Sequence, residues 1–289
     1  EQDNVIHIEF DEHYALEDAE KIIRMAIDNF QNRGAEVMIP QHKASSVGGF
    51  SVESIEYHLG GSFRGTYYTL NDNIINGRIR GVAGVVGCNN ARARHNEAHI
   101  TVVKELIKND VLVLTTGCGG IACAMEGLLT PEAAAVHCGP GLAEVCETVG
   151  IPPVLHMGSC VDNSRILLAA TEVVKAGGLG NDISDAPLAG SAPEWMSEKA
   201  ISIGQYVVAS GIYTVFGLFL PTSGAPVFHN YLTKELENIY GGMWDLEADP
   251  IKHAHLMIAH IDKKRKELGI DKARERVLMD MADRQALEA

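Results

Sequence analysis

At 289 residues, 46% of them hydrophobic, the chain can bury a large core and has room for one large α/β domain or two small ones. Its formal net charge of −14 argues against nucleic acid or an anionic membrane surface as partner. No apolar run reaches the roughly 18 residues of a membrane span. Glu1-Gln2-Asp3-Asn4 has no signal-peptide character, and six cysteines are too few for a disulfide scaffold, so a cytoplasmic location is expected. The chain starts without Met and is expected to be an excised piece of a longer polypeptide.

Along the chain, residues 15–33 form an amphipathic pattern. Leu16, Ala19, Ile22, Ile23, Ala26, Ile27 and Phe30 fall at helical spacing, and Gly34 stands in the favoured position after a helix end. A strand is expected at Glu36–Ile39. Ser51 reads as an N-cap leading into a helix through Leu59, with Glu53 in its first turn. The Gly- and Asn-rich stretch Gly60–Gly77 reads as a surface loop whose Tyr67, Tyr68 and Leu70 pack on something. From Arg78 onward, short apolar runs bounded by glycine alternate with helical spacing. Strands end near Gly87, Gly117 and Gly158, and helices are expected at about His99–Lys108, Ile121–Leu129, Ala133–Val136, Leu142–Val149 and Arg165–Ala176. Gly177–Ser191 reads as a loop, Glu194–Ser210 as a long helix and Tyr213–Leu220 as a strand. A last amphipathic helix spans about Pro250–Leu268, with Lys263-Lys264-Arg265-Lys266 on a solvated face. This alternation predicts an α/β fold with a Rossmann-like, doubly wound, mostly parallel sheet flanked by helices. It predicts one domain over residues 1–289, with 270–289 as a helical tail.

Three cysteines occupy matched places in that pattern. Cys88, Cys118 and Cys160 each follow the glycine turn that closes an apolar run. Thirty residues separate the first pair, the length of one βαβ unit, and 42 separate the second, one unit with an extra helix. Loops at the carboxyl ends of parallel strands line the ligand crevice. Three thiols delivered there make a candidate soft-metal site, thiolate suiting zinc, copper(I), nickel or an iron–sulfur cluster, against the alternative that free cysteines only pack. With no CxxC pair, a zinc ribbon is not indicated. Cys123, Cys138 and Cys146 lie in or between helical stretches and read as small packing residues.

Other candidates are less specific. Gly117-Cys118-Gly119-Gly120 could cradle a phosphate at a helix N-terminus, but it lacks GxGxxG and the Walker lysine–hydroxyl pair. His95, Glu97 and His99 form HxExH rather than HExxH and read as an exposed polar helix start. His156 is either a hydrogen-bond donor behind the site or a core histidine. Lys199, inside an otherwise apolar helix, either reaches solvent or aims into the cleft as an acid/base or an electrostatic clamp.

The blocks Val86-Gly87-Cys88-Asn89-Asn90, Val113-Leu114-Thr115-Thr116-Gly117-Cys118-Gly119 and His156-Met157-Gly158-Ser159-Cys160-Val161-Asp162-Asn163-Ser164-Arg165 together resemble the catalytic subunit of nickel–iron carbon monoxide dehydrogenase. Val47-Gly48-Gly49-Phe50-Ser51, Ser197-Glu198-Lys199-Ala200 and Ile203-Gly204 extend the resemblance to about residues 39–269. It implies the C-terminal part of an enzyme that oxidises CO with water to CO2, two protons and two electrons at a Ni-Fe-S cluster. By motif, Cys88 and Cys118 would bind iron and Cys160 the nickel side. Lys199 would stabilise bound CO2 or hydroxide and help move protons, and Ile203 would stand beside the CO approach. The family's remaining ligands, its electron-transfer clusters and a proton-relay histidine belong to the part before this chain. The resemblance therefore implies a chain that needs the N-terminal part of its subunit and is inactive, and without its own cluster, in isolation. The complete enzyme would be a homodimer served by a ferredoxin-like electron carrier. Two other readings are a hybrid-cluster (hydroxylamine reductase-like) domain and a non-catalytic Rossmann-like scaffold.

Overall fold

The computed structural model describes residues 5–34, 38–41 and 43–272. Of the expected strand at Glu36–Ile39, Glu36 and Val37 lie outside them and Met38 and Ile39 are not in a strand; the expected tail at 270–289 lies outside them from residue 273 on. Two compact units are distinguished, residues 1–44 and 45–289. In the first, helix α1 (Ala15–Asn29) follows the amphipathic pattern and ends in a 3-10 turn at Phe30–Asn32. Leu16, Ile22, Ile23, Ile27 and Phe30 are all exposed.

The second unit opens with α2 (Val52–Leu59), capped as the sequence indicates. Ser54 N–H donates to Ser51 Oγ, while Ser51 N–H donates to Ser54 Oγ, a reciprocal pair in which Ser54 takes the place a Glu often fills. Then comes α3 (Tyr68–Ile75), inside the stretch expected to be a loop. Its signal was hidden by glycines and asparagines that serve its ends and contacts. Tyr67, Leu70 and Ile74 are buried, and Asn71 Nδ2 donates to the carbonyls of Val173 and Gly177.

The sheet-forming region follows: β1 (Gly81–Val85), α4 (Glu97–Lys108), β2 (Val111–Thr115), α5 (Gly117–Met125), α6 (Ala133–His137), α7 (Pro140–Val149), β3 (Val154–His156), α8 (Asn163–Ala176), β4 (Leu188–Ala192), α9 (Glu198–Ala209), β5 (Thr214–Phe216), α10 (Pro226–Asn230), α11 (Glu237–Tyr240), β6 (Trp244–Leu246) and α12 (Pro250–Glu267). All strand pairs are parallel, in the order β3-β2-β1-β4-β5-β6. The doubly wound expectation holds, and the chain reverses direction across the sheet between β1 and β4.

Several boundaries differ from expectation. The region read as the loop Gly177–Ser191 ends in β4, a central strand built from small residues. A Cβ at Gly190 would stand 2.9 Å from Thr214 Oγ1 and 3.5 Å from Val207, so close packing replaces the β-branched signature. The helix expected from Glu194 starts at Glu198, and Glu194 is wholly buried. α5 begins at Gly117 rather than near Ile121, so Cys118 sits in its first turn. In α12 the basic run is not uniformly solvated. Arg265 is buried and donates to the carbonyls of Ile74, Arg80 and Ile270.

Helices cover both faces of the sheet. Modelling a Cβ onto Gly81 brings it against Ile261 of α12, and onto Gly84 against Ile166 of α8, as alternation along a strand requires. The α4 and α12 layer therefore lies on one face, with α8 and α9 on the other. β1 and β2 are buried nearly throughout, which fits the continuous apolar runs in their sequences.

Candidate metal centre

The loops after β1, β2 and β3 are joined by backbone hydrogen bonds. Gly119 N–H donates to Gly87 O (3.3 Å), and Gly117 N–H donates to Gly158 O (3.0 Å). The Cys118 turn is thus bound on one side to the Cys88 loop and on the other to the Cys160 loop. Glycine makes this approach possible. Gly117 has φ 58°, and a Cβ there would stand 3.3 Å from Cys160 Cβ. At Gly120 a Cβ would come within 2.2 Å of His156 Cδ2.

The block around Cys160 is a turn built to present a thiol. Gly158 (φ 127°) reverses the chain, and Ser159 donates from N–H and Oγ to Asp162 Oδ2 at 2.7 and 3.1 Å. The Ser159 backbone N–H, then its hydroxyl, hold the Asp162 carboxyl below the usual carboxylate range. Asn163 Nδ2 donates to Cys160 O (3.0 Å), and its Oδ1 accepts from Thr116 Oγ1 on the Cys118 loop. Arg165 pairs with Asp162 at 3.3 Å. Gly, Ser, Asp, Asn and Arg of this block therefore each have a part in holding Cys160 toward its neighbours.

Cys88, Cys118 and Cys160 all line one cavity of about 170 Å³ at the carboxyl ends of the strands, beside the β1/β4 switch point. Cys118 is exposed and the other two are half-buried. Lys199 and Ile203 reach the same cavity from the first two turns of α9. Much of the remaining wall is apolar, including Ile166, Leu167, Val207 and Phe216. Interaction with the Cys160 thiol, by hydrogen bonding and then by charge, together with a smaller charge interaction with Cys88, raises Lys199 above its ordinary range. Ile121, Met125, Val161 and Met196, close in sequence to these groups, are exposed apolar side chains.

His156 is half-buried beside Gly48 and Gly120, and the cavity wall does not include it. Its carbonyl accepts from the N–H groups of Gly49 and Phe50, both at 2.9 Å, which ties the Val47–Ser51 block to the end of β3. The exposed-helix reading of HxExH is corrected at His99. His95 is exposed, but His99 is fully buried with Nε2 2.7 Å from Cys88 O, and burial depresses its pKa. A carbonyl can only accept, so Nε2 carries the proton. Cys123, Cys138 and Cys146 keep their packing role, each thiol pushed up to about 12 chiefly by burial. Sequence reasoning missed His99, Asn163 and Glu194 as supports of the cysteine loops. The only signal was Asn89 and Asn163 beside cysteines in the quoted blocks.

Among the described residues, no group of three His, Cys, Asp or Glu side chains could hold a single metal ion. Three soft thiols around one cavity have the donor chemistry that one side of a multinuclear metal–sulfur group would need. The profile of the Prismane/CO dehydrogenase family matches residues 1–251. The chain belongs to this family. Carbon monoxide dehydrogenase 1 of Methanosarcina mazei is 53% identical over 267 residues, 92% of this chain and 41% of the relative. Carbon monoxide dehydrogenase 1 of Carboxydothermus hydrogenoformans is 42% identical, over 91% of this chain and 43% of its own length. The solved structure of a nickel-free carbon monoxide dehydrogenase from Thermococcus sp. AM4 superposes with a TM-score of 0.85 at 50% identity, covering 92% of this chain and 41% of that one. An acetyl-CoA synthase/carbon monoxide dehydrogenase structure, described with nickel–zinc and nickel–nickel iron–sulfur clusters in its alpha subunits, gives 0.84 at 35% identity, covering 93% and 42%. The chain thus spans about two-fifths of the length of these Prismane/CO dehydrogenase relatives.

Proposed function

We propose that the chain is the C-terminal part of a carbon monoxide dehydrogenase and supplies one side of its Ni-Fe-S centre. The observation that carries this reading is the single cavity on which Cys88, Cys118, Cys160 and Lys199 meet. Cys88 and Cys118 would bind iron, and Cys160 the nickel side. The bound cluster would supply the two-electron chemistry that converts CO and water to CO2, two protons and two electrons. Lys199 Nζ, beside Cys160, supplies positive charge where oxygen gains negative charge, and it can hold or pass a proton at that atom. Ile203, one turn further along α9, adds an apolar wall that favours a non-polar gas over water. His156 acts from behind the loops, holding the Val47–Ser51 block and the α5 turn in place.

The remaining ligands and the electron exit would come from the N-terminal part of the same subunit. A ferredoxin-like carrier, a homodimeric enzyme and a cytoplasmic location belong to the same reading. Among the described residues, no helix is long and apolar enough to cross a membrane.

The test is nickel, iron and acid-labile sulfide analysis on anaerobically purified protein, with CO oxidation followed by viologen reduction. The chain alone is expected to hold no nickel and show no turnover. Joined to the N-terminal part, it should take up nickel and iron and turn over CO, and Cys160→Ser should lower both nickel content and turnover at least tenfold. Full nickel loading and CO turnover in the Cys160→Ser enzyme would overturn the site assignment. Hydroxylamine reduction without CO turnover would move the chain to the hybrid-cluster branch.

A further inference from the structure

One buried carboxylate meets the Cys88 loop from the far end of β4. Glu194 has no solvent exposure. Its Oε2 accepts from Asn89 Nδ2 (3.0 Å) and from the Asn96 N–H (3.2 Å), and its Oε1 accepts from the Ala98 N–H (3.0 Å). Asn96 and Ala98 belong to the start of α4, where Asn96 has φ 67° and makes no side-chain cap of its own. A negative group at this helix end is favourable.

A helix cap alone does not account for the arrangement. A Ser or Asp at the N-cap would satisfy the Ala98 N–H, whereas this carboxylate comes from 98 residues away, also takes the Asn96 N–H and places a third bond on the residue next to Cys88. Asn89 Nδ2 also donates to Asn96 Oδ1 (2.8 Å), and Asn90 Nδ2 donates to Trp195 O (2.7 Å). His99, one turn into α4, holds Cys88 O. Glu194 and Trp195 in turn lead directly into α9, which carries Lys199. The Cys88 loop and the approach to Lys199 are therefore fastened to the same point.

We propose that Glu194 is a positioning residue that fixes the Cys88 loop and the Lys199 segment at one separation across the cavity. The proposal rests on the cysteine-site reading for its functional meaning, but its test needs no metal. The metal-free 289-residue chain is alkylated with iodoacetamide, and the rate at each cysteine is read by peptide mass spectrometry. Asn89→Ala removes only the loop side of the network and leaves the α4 cap. Asp249→Ala removes a comparable cap, on α12, remote in sequence from the cysteines.

Loss of one hydrogen bond to a charged acceptor should raise the population of a displaced loop by about tenfold. Cys88 alkylation is expected to accelerate by about that factor in Glu194→Gln and at least threefold in Asn89→Ala. Cys118 should stay within about twofold, and Asp249→Ala should leave Cys88 unchanged. Unchanged Cys88 rates in both site variants, with faster amide exchange in α4 for Glu194→Gln, would reduce Glu194 to a helix cap and overturn the proposal. If Glu194→Gln does not fold, Asn89→Ala decides alone. Failure of the full-length protein to take up nickel would defeat the dehydrogenase reading while leaving the labelling contrast intact. Normal nickel uptake with flat labelling would defeat the positioning role alone.

Discussion

Replacing His260 by Phe should flatten the acid sensitivity of folding. His260 stacks on Tyr213, with ring centroids 4.6 Å apart and planes 13° apart, so Phe keeps the ring contact and removes the titration. Burial, then Lys264 and Lys263, depress His260 to about 4 from its ordinary 6.5. Because the folded value is lowered, the unfolded chain takes up the proton first as pH falls. This stability is fully present above pH 6.5, is lost on descent toward 4, and levels off below that. At pH 5 the unfolded ring is almost wholly protonated and the folded one is about 10% protonated, which costs about 2 kcal/mol. Urea unfolding followed by far-UV circular dichroism at pH 7.5, 6.5, 5.5 and 5.0 measures it. Wild type should lose about 2 kcal/mol more than His260→Phe between pH 7.5 and 5, and the comparison cancels groups common to both. His253, also depressed to about 4 by burial, should account for a similar loss that persists in the variant. It donates from Nδ1 to Glu247 O (3.0 Å) and accepts at Nε2 from Ser191 (2.7 Å). Parallel pH profiles for wild type and His260→Phe would refute the reasoning.

Four substitutions test how the site and the scaffold behind it are held. Gly204→Ala places a Cβ 2.5 Å from Trp244 and 2.7 Å from Phe216, so α9 must move with Lys199 and Ile203; a loss of about 1–3 kcal/mol is expected by urea unfolding, and an unchanged midpoint would show that α9 is free to shift. Gly120→Ala should be destabilising because its Cβ meets His156. His156→Ala should restore at least about 1 kcal/mol of that loss in a double-mutant cycle, and strict additivity would argue against the clash. Arg265→Gln strips guanidinium donors from three backbone carbonyls and should cost about 3 kcal/mol in thermal or urea unfolding; a cost below about 1 kcal/mol would mean that water replaces them.

What was legible in the sequence followed from local physics. Glycine-bounded apolar runs marked β1, β2 and β3, and Ser51 marked the start of α2. The placement of Cys88, Cys118 and Cys160 at strand ends located the sheet edge where the three thiols share one cavity. β4 was not legible, because Leu188-Ala189-Gly190-Ser191-Ala192 is small for the sake of its neighbours. Its identity as a strand depends on lying between β1 and β5 under α9. Arg265 looked solvated because its run is basic, yet the carbonyls it serves come from residues up to 191 positions away.

The same division holds at the site. Periodicity and spacing determined by themselves that this is an α/β chain with three thiols at one sheet edge, since those features depend on near neighbours. Tertiary structure alone decided that Lys199 meets Cys160, that His99 turns inward to Cys88, and that Glu194 joins the Cys88 loop to the approach to α9. Those contacts cross 39, 11 and 105 residues of sequence. The short link from Cys88 to His99 is as hidden as the long ones, because only burial of α4 against the sheet selects which histidine points inward.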